Sequence, residues 1–201
     1  MRSLAERAAA FRALHEGAPF VIPNPWDVGS ARVLEALGFQ ALATTSSGFA
    51  FTLGRLDGNV MLDEVVSHVS GLTQATDLPV SVDLENGYGA SSEHAARAIV
   101  RVAEEAGAVG GSIEDWDPSG HLYENGHAAE RIAAAAEAAH ALPFPFMLTA
   151  RAETTSAATR ISTTRSLASR RTRPREPTSC TRPACGPGRR SRPSVRRSPG
   201  R

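Results

Sequence analysis

The stretch SVDLENGYG, residues 81–89, places two carboxylates at the end of an apolar run. One residue separates Asp83 from Glu85, and Asn86-Gly87 interrupts the strand pattern directly after them. Because residues i and i+2 of a strand point to the same side, we expect both carboxylates to face one side, where like charges repel. A bound cation would remove that repulsion, so the pair indicates a metal site.

Polar side chains recur at the C-terminal end of each of five apolar, strand-like runs. They are Asn24 and Asp27; Thr45, Ser46 and Ser47; Asp83 and Glu85; Glu114 and Asp115; Arg151 and Glu153. In parallel α/β folds this end of the strands is where ligands bind. The alternative is that each residue caps the helix that follows it. Acids in four of the five repeats favour a shared site.

The carboxylates suit a hard divalent cation. We expect Asp83, Glu85 and Glu114 on neighbouring strands, with Asp57 in the loop after the second strand. Clustered carboxylates without Cys favour Mg²⁺ or Mn²⁺, often held partly through water, and such a cation could polarise a substrate oxygen. Arg151 leaves two interpretations open. It could grip a substrate carboxylate or phosphonate bidentately, or it could neutralise an acidic rim that holds no metal.

The elements that must position these residues follow from the hydrophobic pattern of residues 1–153. Strand-like runs cover 19–27, 41–47, 78–85, 108–115 and 144–153. Helical spacing predicts five helices. The first, at the N-terminus, contains Ala8, Phe11 and Leu14, and the second contains Val33, Leu34 and Leu37 and ends at Gly38. The third contains Val65, Val66, Val69 and Leu72, the fourth runs from Ser91 or Ser92 to Gly107, and the fifth covers 128–142. This alternation predicts an α/β fold with a parallel sheet, either a barrel or a doubly wound sheet.

Composition excludes several classes of function. All 22 basic residues are Arg, which excludes a Schiff-base lysine and a phosphate-loop lysine. The two cysteines are Cys180 and Cys185, so residues 1–153 offer no thiol chemistry. No run approaches the roughly 18 apolar residues of a membrane span, and the N-terminus has no apolar signal core. We therefore expect a cytoplasmic protein with no membrane partner.

Four segments, in order, resemble the isocitrate lyase/phosphoenolpyruvate mutase superfamily. They are PNPWDVGSARVLEALGFQALATTSSGFAFTLGRLDG, SVDLENGYG, AGAVGGSIED and TARAE, within a likeness that runs from about residue 5 to 153. The resemblance implies a (βα)8 TIM-type barrel, of which about five βα units are present, and Mg²⁺ (or Mn²⁺). It also implies lyase, mutase or hydrolase chemistry on a small 2-oxo acid or phosphonate-type substrate, through an enolate-like intermediate and with C–C or P–C bonds made or broken.

The same resemblance implies roles for individual residues. By position, the metal ligands would be Asp57, Asp83, Glu85 and Glu114; the substrate-binding residues Trp26, Ser46, Ser47, Gly48 and Arg151; and the catalytic residues Arg151 and His121. Glu85 stands where many members have Asp, and its longer side chain would reach the metal through water.

The loop after the fourth strand departs from the family pattern. Lyases of this group carry Lys-Lys-Cys-Gly-His there, with the Cys as proton donor, whereas this loop reads DWDPSGHLYENG. Gly120 and His121 align, but Lys and Cys are missing, so a lyase that uses that thiol is disfavoured. His121 could supply acid–base catalysis near neutral pH, or it could simply be solvated. The loop, 116–127, would gate the site and select the substrate.

Residues 154–201 differ abruptly in composition from residues 1–153. Arg, Ser, Thr and Pro dominate, 13 of the 22 Arg lie there, and Glu176 is the one acid. Neither helical nor strand periodicity remains. We therefore expect 1–153 to be the N-terminal part of a barrel and 154–201 to be a disordered, low-complexity tail. The tail could bind nucleic acid, but no aromatic residue is interleaved for stacking, which disfavours a nucleic-acid partner.

The genetic code offers another interpretation of the tail. With one base restored after Glu153 and GC-rich third bases, an added N is followed by residues 154–168 read as HLRGNPDLDDTIARL, and residues 175–184 can be read as GADVLYAPGL. The first segment supplies a helix start and the second the missing sixth strand. We hypothesise that one base was lost near codon 153–154. A truncated product would be inactive, whereas the full-length family protein is expected to be a homo-oligomer that exchanges a C-terminal helix.

Overall fold

Five strands form the main sheet, in the order β1-β2-β3-β6-β7. The computed structural model describes residues 2–156 and 159–166, with side chains up to residue 153. The strands are β1 (Leu42–Ala43), β2 (Val80–Asp83), β3 (Gly110–Glu114), β6 (Met147–Ser156) and β7 (Thr159–Ser166); β4 (Trp116–Asp117) and β5 (His121–Leu122) form a separate antiparallel pair. β1, β2, β3 and β6 are mutually parallel, which confirms the α/β fold with a parallel sheet.

Six helices are present among the described residues. They are α1 (Leu4–His15), α2 (Val28–Ala36), α3 (Ser46–Thr52), α4 (Leu62–Ala75), α5 (Ser92–Glu104) and α6 (Asn125–Ala141). Ser91 caps α5 by accepting a hydrogen bond from the His94 backbone N–H. Gly107 follows α5 at φ +71° and Gly38 follows α2 at φ +86°, a left-handed conformation in which glycine carries no Cβ penalty. The predicted helix ends are therefore confirmed. No helix in the described part of the chain is long and apolar enough to cross a bilayer.

The core lies between the sheet and helices α4, α5 and α6. Val65, Val66, Val69 and Leu72 of α4 are all buried, as predicted. Two residues of the predicted α2 face are instead exposed, Val33 by 58% and Leu37 by 69%. The reason is that α2 contacts the core through Val28 and Leu34.

Residues 19–27 do not form the predicted first strand. Two hydrogen bonds connect this segment to β1: Ala43 N–H donates to the Pro23 carbonyl at 3.1 Å, and Asn24 Nδ2 donates to the Ala43 carbonyl at 2.9 Å. Pro23 and Pro25 have no N–H to give to a ladder, so the segment lies beside β1 without strand pairing.

Two segments within residues 154–166 of the predicted tail are strands in the structure. Residues 154–156 extend β6, and β7 pairs with β6 antiparallel, from Thr149 opposite Ser166 to Ser156 opposite Thr159. The edge of a parallel sheet offers unpaired backbone groups, and the β-branched residues of Thr159–Ser166 favour a strand. The antiparallel β7 also departs from an all-parallel barrel. The remaining tail, with Cys180 and Cys185, lies outside the described residues.

Candidate active site

A cavity of about 640 Å³ lies at the C-terminal ends of β2 and β3 and beside the middle of β6. Its lining comes from strand ends, from the loop after α3 and from the loop between β4 and β5. The lining residues are Ser46, Asp57, Gly58, Asn59, Glu85, Asn86, Glu114, Trp116, Pro118, Arg151 and Glu153. The structure thus brings five of the residues selected from the sequence to one cavity, namely Ser46, Asp57, Glu85, Glu114 and Arg151.

Asp83 ends β2, and its carboxylate is bonded from two sides. The backbone N–H and the hydroxyl of Ser46 donate to Oδ2 at 3.1 and 3.0 Å. Arg151 Nη1 donates to Oδ1 at 3.0 Å. The side chain of Asp83 is 15% exposed, so its charge is stabilised by these donors more than by bulk water.

Glu85 reaches the cavity by a turn and not by strand alternation, which corrects the expectation from the sequence. β2 ends at Asp83, and Glu85 adopts φ +48°, a left-handed conformation. Its backbone N–H donates to Asp83 Oδ1 at 3.3 Å, and the Tyr88 hydroxyl donates to its Oε1 at 3.4 Å. The strand pattern fails here because β2 ends at Asp83, two residues before the end of the predicted run 78–85, and a turn follows in which Gly87 N–H donates to the Leu84 carbonyl at 2.7 Å.

Arg151 is bonded to the acidic side chains around it. Its Nη2 lies 2.5 Å from Glu114 Oε2 and 2.9 Å from Glu153 Oε1, in addition to the contact of Nη1 with Asp83. Arg151 therefore acts as a counter-ion to these three carboxylates. Among the described lining residues it faces four carboxylates, Asp57, Glu85, Glu114 and Glu153, so one guanidinium does not neutralise the cavity.

The excess negative charge shifts the ionisation of two glutamates. Burial, together with the charges of Asp83, Asp57 and Glu114, raises the pKa of Glu85 to about 7. Burial likewise raises the pKa of Glu114 to about 7. Burial and the charges of the neighbouring carboxylates together outweigh the opposing charge of Arg151. Loss of hydration and like charges both disfavour the anion. A cation in the cavity would offset both effects.

The donor set fits a hard cation held partly through water. Oxygen ligands dominate the cavity, and no Cys lies in residues 1–153. Among the described residues, no group of three or more His, Cys, Asp or Glu converges closely enough to enclose an ion directly. Mg²⁺ usually keeps several waters and uses one or two carboxylates, so an open acidic cavity is compatible with it.

Five of the residues selected from the sequence do not line the cavity. One of them, Asp83, bonds the lining residues Ser46 and Arg151; the others are Trp26, Ser47, Gly48 and His121. Trp26 is 48% exposed and packs against Gly48, where a Cβ would lie 2.5 Å from Trp26 Nε1. The Ser47 hydroxyl lies 3.1 Å from the Thr45 hydroxyl. His121 is exposed on β5, with Nδ1 3.0 Å from the Ser119 hydroxyl. Substrate-binding and catalytic roles for these residues stay predictions.

Six lining residues have no site role assigned from the sequence: Gly58, Asn59, Asn86, Trp116, Pro118 and Glu153. Asn86 is 6% exposed and donates through Nδ2 to the Tyr123 hydroxyl at 3.0 Å. Trp116 lies on β4, and Pro118 lies in the loop between β4 and β5. Asn86-Gly87 was interpreted only as a strand breaker, yet Asn in a tight turn often bonds its own backbone. Asn86 does so, because its Oδ1 accepts from Tyr88 N–H at 3.1 Å.

Comparison with known proteins places the fold and the cavity in context. A solved structure of a provisionally assigned lyase/mutase from Burkholderia cenocepacia J2315 aligns at a TM-score of 0.73 and 52% identity, over 75% of this chain and 55% of that one. The 2-methylisocitrate lyase of Salmonella typhimurium strain LT2 is 34% identical over 116 residues, 56% of this chain and 39% of the enzyme. An uncharacterized protein of Mycobacterium tuberculosis strain H37Rv is 36% identical over 101 residues, 50% of this chain and 38% of that protein.

The chain spans less than two thirds of the length of each of these relatives. The model of the phosphoenolpyruvate phosphomutase family matches residues 11–173, a range that includes every cavity residue and extends past Glu153. A solved 2,3-dimethylmalate lyase, itself a member of the PEP mutase/isocitrate lyase superfamily, aligns at a TM-score of 0.67 and 26% identity, over 76% of this chain and 54% of that one. On this match, this chain belongs to the phosphoenolpyruvate phosphomutase family, within the PEP mutase/isocitrate lyase superfamily.

Proposed function

We propose that this chain carries the metal-binding part of an Mg²⁺-dependent lyase or mutase that acts on a 2-oxo acid or a related carboxylate or phosphonate. The observation that carries the proposal is the acidic cavity, in which Glu85 and Glu114 keep pKa values raised to about 7 beside Arg151. A structural ion-pair cluster would be expected to balance its charges more closely. An excess of carboxylates in an open cavity supports a site that receives a cation.

Asp57, Asp83, Glu85 and Glu114 would hold Mg²⁺ or Mn²⁺, directly or through water. The cation would supply Lewis acidity that polarises a carbonyl or carboxylate oxygen of the substrate. A phosphonopyruvate hydrolase of the same fold, with 20% identity and a TM-score of 0.67, has been crystallised with oxalate and Mg²⁺. That neighbour supports the class of site, and the acidic residues named here support it in this chain.

Residues of the chain would orient the substrate. Arg151 would exchange part of its contact with Asp83 and Glu114 for a substrate carboxylate, since a guanidinium binds such groups bidentately. Ser46 lines the cavity and lies beside Asp83, where it would direct the carboxylate. Trp116 and Pro118 cover part of the cavity and would limit the access of water to an enolate-like intermediate.

The proton donor of the reaction would differ from that of thiol-dependent lyases. With no Cys in residues 1–153, His121 is the proposed acid–base group. Its exposed position on β5 requires the β4–β5 loop to move toward the cavity for His121 to act. This requirement makes the loop part of the proposed mechanism.

The architecture proposed for the complete enzyme is a (βα)8 barrel, in which residues 1–153 supply about the first five βα units. The chain covers 55% of the length of the Burkholderia lyase/mutase. A chain without the remaining units would bind the cation without turnover. Metal binding and turnover are therefore separate questions for this chain.

The experiment is a calorimetric titration of Mg²⁺ into the full chain, with Asp83→Asn and Glu114→Gln as test variants and the exposed Glu137→Gln as matched control. We expect each test variant to lose affinity by at least about tenfold, and the control to match the wild type. Release of pyruvate from 2-methylisocitrate and oxaloacetate, with Mg²⁺ and with EDTA, then tests turnover. Equal Mg²⁺ affinity in all four proteins would overturn the proposal.

A further inference from the structure

Arg131 is a buried cation outside the cavity. It lies on α6, is 1% exposed, and its Nη2 donates to the carbonyl oxygens of Asn86 and, at 2.8 Å, of Gly89. The guanidinium lies over the ring of Tyr123, 4.2 Å from the ring centroid. Its Nε has no hydrogen-bond partner among the described residues. Burying a guanidinium costs free energy that an apolar side chain would avoid, so its contribution is expected in the conformation that it fixes.

The two carbonyls belong to a strained turn that carries Glu85. Three of its residues have positive φ: Glu85 at +48°, Gly87 at +79° and Tyr88 at +59°. Such φ values are strained for the non-glycine residues Glu85 and Tyr88, and they persist where the surroundings fix them. The Asn86 and Gly89 carbonyls lie on either side of Gly87 and the strained residue Tyr88. Arg131 therefore donates hydrogen bonds to the turn on both sides of Gly87 and Tyr88.

The same side chain contacts the loop over the cavity. Tyr123 is 8% exposed, its hydroxyl accepts from Asn86 Nδ2 at 3.0 Å, and its N–H donates to the Asp115 carbonyl at 2.9 Å. Trp116 and Pro118, which line the cavity, lie in the chain segment between Asp115 and Tyr123. Arg131 and Tyr123 thus join the turn after β2 to the loop after β3.

We propose that Arg131 is a positioning residue that holds the turn 85–89 and the loop 116–123 in one arrangement, so that Glu85 faces the same cavity as Glu114. The inference rests on the proposed function only insofar as Glu85 is a metal ligand. The conformational part applies to the metal-free protein. Removing the guanidinium would free both carbonyls and let the left-handed residues relax.

The first test is amide hydrogen exchange by mass spectrometry on the metal-free full chain. Arg131→Met keeps an unbranched apolar stem, and Arg32→Met, at an exposed position on α2, is the matched control. We expect exchange in peptides that cover 85–89 and 116–123 to accelerate by about tenfold, with α1 and α2 unchanged. Unchanged exchange in both segments would overturn the inference.

Tyr123→Phe keeps the proposal testable where Arg131→Met does not fold. It retains the ring beneath the guanidinium and removes the hydroxyl that accepts from Asn86. We expect faster exchange in the same two segments with the global unfolding transition nearly unchanged, since a single hydrogen bond contributes little to global stability. Equal exchange in Tyr123→Phe and wild type would show that the two segments are not joined through this contact.

The second test is Mg²⁺ affinity, measured under conditions where the variants are folded. We expect Arg131→Met to bind about tenfold more weakly, with Arg131→Lys between it and the wild type because an ammonium cannot span both carbonyls. A wild type that binds no Mg²⁺ would refute the proposed function, and the exchange data alone would then decide the inference. Wild-type affinity in Arg131→Met would show that the turn does not depend on Arg131.

Discussion

Glu114 and Arg151 are register partners on the adjacent parallel strands β3 and β6, and Glu114 Oε2 lies 2.5 Å from Arg151 Nη2. The same guanidinium bonds Asp83 at the end of β2. Direct pairing across the sheet therefore places the counter-ion among the carboxylates without any contribution from a loop. A divalent cation would compete with Arg151 for these oxygens.

Replacing Arg151 with Met should leave partly buried carboxylates without their counter-ion. We expect the free energy of unfolding to fall by about 2 kcal/mol without metal, less than for a fully buried pair because Arg151 is 29% exposed. Saturating Mg²⁺ should restore much of this loss. Urea denaturation with and without Mg²⁺ measures both quantities. The surface pair Arg55 and Glu64 offers a control, because Arg55→Met should cost only about 0.5 kcal/mol.

The metal-free protein should lose stability as pH rises toward neutrality. The folded state raises the pKa of Glu85 and Glu114 from 4.5 to about 7, so it retains protons that the unfolded chain releases. Their contribution is fully present below pH 4.5 and is lost as pH rises through about 7. Denaturation across this range in EDTA should show the decline, and Glu85→Gln with Glu114→Gln should flatten it. A flat wild-type profile would contradict the pKa shifts.

His68 should make the protein less stable as pH falls, which is opposite to the effect of Glu85 and Glu114. It stacks on Phe49 of α3, with ring centroids 3.9 Å apart, and burial lowers its pKa to about 4 despite the opposing charge of Asp27. Its stabilising effect is therefore present above pH 6.5 and is lost as pH falls toward about 4. In His68→Phe, which keeps the stack, this loss should disappear. Denaturation of both proteins between pH 4 and 7 measures this. Identical profiles for His68→Phe and the wild type would show that His68 is solvated.

Gly48→Ala should disturb the beginning of α3. A Cβ there would lie 2.5 Å from Trp26 Nε1 and 2.6 Å from Thr45 Cγ2, so we expect a loss of about 1–3 kcal/mol from overpacking. Gly126→Ala is the matched control, because nothing lies within 4 Å of its Cβ position on α6. The control should be neutral or slightly stabilising. Urea denaturation checks both, and Trp26→Ala should relieve part of the defect.

The hypothesis of a lost base makes a prediction for the gene itself. Sequencing the genomic DNA across codons 145–165 should show one further base after codon 153, restoring ARAENHLRG. The tail would then be replaced by a loop and helix start that lead to a sixth strand. An unchanged reading frame would make the given chain the true product, and folding would then be measured before activity.

The ligand-binding end of the sheet was predictable from the sequence because parallel strands direct their C-terminal ends to one edge. Apolar runs that each end in polar residues indicated that Asp83, Glu114 and Arg151 would meet there. The helices α4 and α5 were predictable for a similar reason, since Val65, Val69 and Leu72 repeat at helical spacing. Each of these patterns lies within one short segment of the chain, and formation of the sheet brings the segments together.

The sequence by itself determined the chemistry available: oxygen ligands, arginine as the cation, and no thiol or lysine in residues 1–153. The tertiary structure decided where that chemistry acts. Glu85 enters the cavity through a left-handed turn, and His121 stays outside it. The burial of Arg131 against Asn86 and Gly89 depends on contacts between residues more than 40 positions apart. The bonding of Arg131, the strained conformation of the turn 85–89 and the burial of these side chains all involve such distant contacts. Residue spacing along the chain does not encode them.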